Sequence, residues 1–209
     1  FGDLPVNYYV PVGTPPAQVQ RAFAKTTAMI AHLSERYGAY PWARYDQVVV
    51  HDFIFGGMEN LAATTLLDLV LVNDEAAIDT EMESLVVHEL AHQWWGDLVT
   101  CQDWSQAWLN EGWATYTESV WFGHSRGPAE AAWHLWEQAR DYFAEEGGRY
   151  RRGMVSYRFK HPIDVFDRHI YEKGALVLHT LRSLLGEDAF WAGARLYLSR
   201  HANGTVHTR

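Results

Sequence analysis

Residues 88–92 read His-Glu-Leu-Ala-His. In a helix, residues four apart share one face about one turn apart, so His88 and His92 can turn two imidazoles toward one metal ion. Glu89, beside the first histidine, is placed to reach a water held by that ion. A third ligand of suitable type, Glu111, follows after eighteen intervening residues in the segment Trp-Leu-Asn-Glu-Gly. That much chain lets a second helix double back across the first. Two imidazoles, one carboxylate and an open fourth position describe a catalytic site for one Zn2+ per chain, and a single cysteine, Cys101, offers no thiolate cluster to compete. The chemistry is metal-assisted hydrolysis: the ion brings a water pKa toward about 7, and Glu89 takes the proton and later delivers it to a leaving amine. The five-residue pattern alone fits a packed helix with two satisfied histidines equally well. Leu85, Val86, Leu90 and Ala91 make its flanks apolar, and rings buried there need partners. Glu118 lies seven residues after Glu111, on the same helix face. It reads either as a carboxylate that orients a metal histidine or as a solvated helix acid.

Composition narrows the partners. The formal net charge of the 209 residues is -9, which argues against nucleic acid, since a phosphate-binding surface needs an excess of Lys and Arg. Hydrophobic residues make up 48% of the chain, enough for a sizeable core, with 10 Trp among them. No apolar run approaches the roughly 20 residues of a membrane span.

The elements that must position these groups follow from periodicity and punctuation. Residues 5–12, bounded by Pro5 and Pro11, suggest an edge strand. Pro15 and Pro16 open a helix expected to run to Tyr37 and stop at Gly38. Residues 46–55 and 61–72 are strand-like, with Gly56 and Gly57 between them. Asp79 or Thr80 is expected to cap the helix that carries His88 and His92 and ends near Gly96, and Ser105 to cap the helix of Glu111. Pro128 starts a third helix that ends before Gly147. Residues 148–164 form a basic, aromatic loop. Helices over 167–185 and 187–202 follow, divided by Gly186, and residues 203–209 look like linker. A β-rich first part followed by helices defines an α+β class.

Four segments in this order carry a resemblance: Gly-Gly-Met-Glu-Asn at 56–60, His-Glu-Leu-Ala-His-Gln-Trp-Trp-Gly at 88–96, Trp-Leu-Asn-Glu-Gly-Trp-Ala at 108–114 and Tyr-Glu-Lys-Gly-Ala at 171–175. Together they resemble the gluzincin aminopeptidases, the zinc family of aminopeptidase N and the bifunctional leukotriene epoxide hydrolase. The resemblance implies a single thermolysin-like catalytic domain over 1–209, a small mixed β-sheet lobe followed by an α-helical lobe. It implies a peptide substrate with a free amino end. Gly56, Gly57 and Met58 would line the substrate backbone as an edge strand, Glu59 would pair with the α-amino group, and Asn60 would complete the segment. Tyr171 would donate its hydroxyl to the oxyanion of the tetrahedral intermediate. Without the resemblance, Gly56–Gly57 reads as a tight turn beside an exposed glutamate, and Tyr171 as an ordinary aromatic at a helix start.

The family's members are much longer, with a β-rich domain before this region and helices after it, so flanking domains are implied partners. Exposed apolar surface, several Trp included, is expected where such domains pack. Many aminopeptidases of the family have Gly-Ala where Gly56–Gly57 stands. Three other functions share the same ligands: an epoxide hydrolase or bifunctional enzyme, a metal-binding domain with little activity, and an endopeptidase of the thermolysin type.

Overall fold

The computed structural model describes residues 2–208. Strands β1 (Val6–Tyr9), β2 (Tyr45–Val50), β3 (Gly57–Met58) and β4 (Ala63–Leu67) form one sheet in the order β1-β2-β4-β3. The first three in that order run parallel, and β3 returns antiparallel along β4 as the edge. A second, two-stranded sheet pairs β5 (Val99–Cys101) in parallel with β6 (Gly204–Val206). Helices α1 (Pro16–Phe23), α2 (Thr26–Tyr37), α3 (Glu83–Ala91), α4 (Trp108–Ser125), α5 (Pro128–Gly148), α6 (Glu172–Leu185) and α7 (Glu187–His201) supply the rest. This is the α+β arrangement expected from the sequence, a small mixed sheet followed by a helical lobe. Among the described residues, no helix is long and apolar enough to cross a membrane.

Helix α4 is the axle of the helical lobe. It is buried on nearly every side, as a helix apolar all round must be, and packs against α3, α5 and α6. Its Trp113 stacks flat on Trp95, with ring centroids 3.8 Å apart. Tyr37, at the end of α2, meets Trp94, Trp95, Trp113 and Trp191 in tilted or edge-on contacts and shares a 2.7 Å hydrogen bond with Thr117. Such pairs add about 0.5–1.5 kcal/mol each beyond area burial. One aromatic cluster therefore clamps α2, α4, α7 and the turn after α3.

Several boundaries differ from expectation, each for a contact remote in sequence. The helix expected from Pro15 to Tyr37 breaks between Phe23 and Thr26, where the buried Thr26 hydroxyl donates to Gln47 of β2 at 2.9 Å. Strand β2 ends at Val50, and Asp52, just beyond it, adopts a left-handed backbone. Neither Asp79 nor Thr80 caps α3. Its start is set by Glu83, whose carboxylate accepts from Lys25, Trp121 and Arg126. Asp103, not Ser105, caps the turn leading into α4, accepting from the Ser105 N–H at 2.8 Å. Helix α5 runs through Gly147 and Gly148. Helix α6 begins only at Glu172, because residues 167–171 form a turn around Asp167. The segment expected to be linker holds β6, and Thr208 beyond it accepts from the Trp108 indole at 2.9 Å.

Candidate active site

Helix α3 delivers His88 in its last turn and His92 as its C-cap; Glu111 comes from the first turn of α4. The three meet. One Glu111 oxygen, Oε2, lies 3.3 Å from Nε2 of His88 and 3.3 Å from Nε2 of His92. The other ring nitrogens fix the tautomers. His92 Nδ1 is 2.8 Å from the Trp95 carbonyl, which can only accept, so Nδ1 carries the hydrogen. His88 Nδ1 donates in the same way to Glu118 at 2.7 Å. In both rings Nε2 is thereby the nitrogen left facing Glu111, the one that would be free to bind a metal.

The donor set fits a divalent cation. Ligand atoms of His88, His92 and Glu111 lie within 4.8 Å of one another, and all three side chains are largely buried. The electrostatics say the same. Burial works against charge on His92, yet Glu59 and Glu111 hold its pKa up at about 10. Burial also works against the Glu111 carboxylate, but His92 and His88 pull it down to about 2. The pocket stabilises positive charge at the point where these three side chains converge.

Around that point lies a cleft of about 740 Å3. Its walls are apolar at Phe55, Met58, Leu85, Trp104, Ile163 and Phe166, and its floor is polar at Glu59, Glu89, Glu111 and Tyr171. Glu89 is 5% exposed, and burial pushes its pKa up to about 7 against the pull of His88 and His92. Its Oε2 has no protein partner. The edge strand β3 brings Gly57 so close that a Cβ there would sit 2.6 Å from Glu89 Cγ, so this glycine leaves the room that the Glu89 side chain occupies. Carboxyl oxygens of Glu59 and Glu89 and a ring nitrogen of His92 also fall within 4.8 Å of one another. Tyr171 precedes α6, and its ring lies over that of His88 with centroids 6.1 Å apart. Its hydroxyl pKa is raised, by burial first and then by Glu111 and Glu59.

Gly56, Gly57, Met58 and Glu59 therefore line the same cleft as His88, His92 and Glu111. Asn60 does not: its side chain accepts from Thr65 at 2.9 Å and its carbonyl from Ala63, closing the turn into β4. Sequence reasoning passed over Gln93. This buried amide accepts from the Ala62 N–H at 2.8 Å and donates to the Glu59 carbonyl at 3.4 Å. It ties the Glu59 segment to the residue next to His92. A polar residue inside an otherwise apolar stretch was its only signal. Asn110 reaches back to β5, where it accepts from the Cys101 N–H at 3.1 Å.

Comparisons with known proteins identify the family and the fold. The model of the peptidase family M1 domain matches residues 21–209. The chain belongs to that family. It is 34% identical to the mitochondrial aminopeptidase 2 of Saccharomyces cerevisiae, over 97% of this chain and 23% of the relative. It is 37% identical to aminopeptidase N of Streptomyces lividans, over 80% of this chain and 20% of the relative. The chain thus spans about a quarter or less of these relatives' length. Among solved structures, native leukotriene A4 hydrolase of Saccharomyces cerevisiae superposes with a TM-score of 0.81 at 28% identity, covering 92% of this chain and 31% of that one. An M1 zinc metallopeptidase of Deinococcus radiodurans gives 0.72 at 29% identity, covering 97% and 41%.

Proposed function

We propose that this chain is the catalytic domain of a zinc aminopeptidase. The observation that carries the reading is the second acidic cluster. Glu59 and Glu89 stand together beside His92, on the side of the ligand trio that meets the edge strand β3. A metal hydrolase needs one carboxylate as base; a second one, at the cleft, suits a cationic substrate end.

His88, His92 and Glu111 would hold the zinc. Bound there, zinc supplies Lewis acidity and lowers the pKa of water in the site. The residues of the chain do the rest. Strand β3 has one edge free of β4, so an extended peptide can pair along Gly57–Met58. Glu59 pairs with the substrate ammonium and so fixes the distance from the amino end to the scissile bond. Glu89 accepts the proton of the attacking water and passes it to the leaving amine. The Tyr171 hydroxyl, kept protonated by its surroundings, donates a hydrogen bond to the carbonyl oxygen as charge develops on it. Glu118 holds His88 in the ligand tautomer. The cleft's apolar walls exclude water around these groups.

The test is hydrolysis of an aminoacyl arylamide by the full-length protein, with and without a chelator, and of one peptide with its amino end free or acetylated. Loss of activity on chelation and a strong preference for the free amine are expected. Full activity after chelation overturns the metal reading. Preference for the acetylated peptide overturns the role of Glu59 and favours an endopeptidase.

A further inference from the structure

Glu118 has two carboxylate oxygens and gives them to two different histidines. Oε1 accepts from His88 Nδ1 at 2.7 Å, and Oε2 accepts from Nε2 of His134 at 2.9 Å. The hydrolytic reading has no use for His134. It sits on α5, outside the substrate cleft, in a smaller neighbouring cavity that also touches His88 and Glu118.

We propose that His134 is a positioning residue for the metal centre, acting through Glu118 to hold the orientation and tautomer of His88. The inference rests on His88 being a metal ligand.

A carboxylate held by one hydrogen bond can still turn about its terminal torsion, which is broad and soft. A second bond, to the opposite oxygen, removes that freedom and fixes the line along which Oε1 faces His88. It also satisfies a largely buried oxygen that would otherwise lack a donor. His134 is itself held in place. Its ring meets Phe122 edge-on, with centroids 5.1 Å apart, and Phe122 lies one turn beyond Glu118 on α4. One turn further along α5, Gln138 donates to the Thr115 carbonyl at 3.2 Å. The face of α5 bearing 134 and 138 is thus locked to the face of α4 bearing 115, 118 and 122. Hydrogen bonds run from α5 through α4 to the ligand on α3. Partners behind metal ligands commonly alter metal affinity by about 10- to 100-fold.

The variants His134→Phe and His134→Gln separate positioning from packing. Phe keeps a ring against Phe122 but donates nothing; Gln keeps an N–H for Glu118. Zinc affinity by chelator competition, and the visible absorption of the cobalt-substituted protein, are the readouts. His134→Phe is expected to weaken zinc about 10-fold and shift the cobalt spectrum, with His134→Gln recovering most of both. Glu118→Gln/His134→Phe should then lose no more than Glu118→Gln alone. If His134→Phe binds zinc as the unsubstituted chain does while Glu118→Gln binds it weakly, the proposal falls and the role of Glu118 stands. If His88→Ala keeps full zinc affinity, the ligand reading itself has failed. Imidazole nitrogen NMR needs no variant: on adding zinc, His134 should shift together with His88, and an unmoved His134 overturns the relay.

Discussion

Glu89 and His32 are both buried titratable side chains, and their surroundings set them different tasks. Glu89 faces the cleft with one oxygen free of protein partners, beside His88 and His92 but not among the atoms that converge on Glu111. Replacing it with Gln keeps the shape and removes the base. Glu89→Gln should bind zinc as before and lose about 10^2- to 10^4-fold in kcat. Metal content and turnover measured on the same sample check this; retained turnover would remove Glu89 from the mechanism. His32 lies outside that cleft, in a separate cavity. It is 3% exposed, neither ring nitrogen has a partner, and its ring stacks on His124 with centroids 4.0 Å apart. Burial, then His124 and Arg36, lower its pKa from 6.5 to about 4. Arg182, His179 and Glu187 line the same cavity from α6 and α7. The folded chain therefore binds fewer protons at this position than the unfolded chain. The stability His32 contributes is complete above pH 6.5 and is lost as pH falls from there toward 4. Urea melts of the parent chain and of His32→Phe between pH 7.5 and 4.5 should diverge in slope over that window. Parallel curves would show that His32 titrates as it does in the unfolded chain.

At the scale of elements, two glycines decide where the site's side chains stand. Gly112 follows Glu111, and Gly174 lies three residues past Tyr171. They face each other where α4 crosses α6. A Cβ on Gly112 would lie 2.9 Å from the Gly174 Cα, and one on Gly174 would lie 2.8 Å from the Gly112 Cα. These contacts are backbone on backbone, so no side chain can give way. Gly174→Ala should destabilise the chain by about 1–3 kcal/mol, as overpacked interiors do, and weaken zinc binding by shifting α6 against α4. Urea unfolding with a zinc titration tests both; an unchanged melt would mean the helices separate at no cost. These glycines stood in the sequence inside the two motifs, yet only their neighbours were read as functional. The same holds more widely. That His88 and His92 share a face was legible because spacing on a helix is local geometry; that Glu111 could reach them rested on its type and on the length of chain between, and the place of Gly57 at the sheet edge on the family's motif. The break before Thr26, the start of α3 at Glu83 and the anchoring of Glu59 by Gln93 were not legible. Each is a contact between residues 21 to 58 positions apart, and no local pattern encodes such a partner. His134 escaped for that reason too: at 16 residues from Glu118, it is joined to it only by the packing of α5 on α4.

At the scale of the molecule, the apolar surface has an aromatic part, several Trp included as expected, and an aliphatic part. Most of the Trp residues close the interior, and those that stay well exposed, Trp104, Trp133 and Trp136, are few. On α5 the exposed apolar groups are aromatic, at Trp133, Trp136 and Phe143, whereas on α6 they are aliphatic. Val177, Leu181, Leu184 and Leu185 follow one another along α6 at helical spacing, and Leu184 is 79% exposed. Such a stripe is costly to leave in water, and on a chain that spans a quarter or less of its relatives it is the kind of face a neighbouring domain covers. By itself the chain should therefore bind an apolar-surface dye and self-associate at micromolar concentration. Leu181→Lys/Leu184→Lys should lower both while leaving the melting temperature nearly unchanged, because neither leucine is buried. Light scattering and dye fluorescence on the two proteins decide the matter. A monodisperse parent chain that binds no dye would show the α6 stripe to be ordinary surface. Equal dye binding by parent and variant would place the apolar surface elsewhere, with exposed Phe55 on the cleft wall and Trp133, Trp136 and Phe143 of α5 as the next candidates.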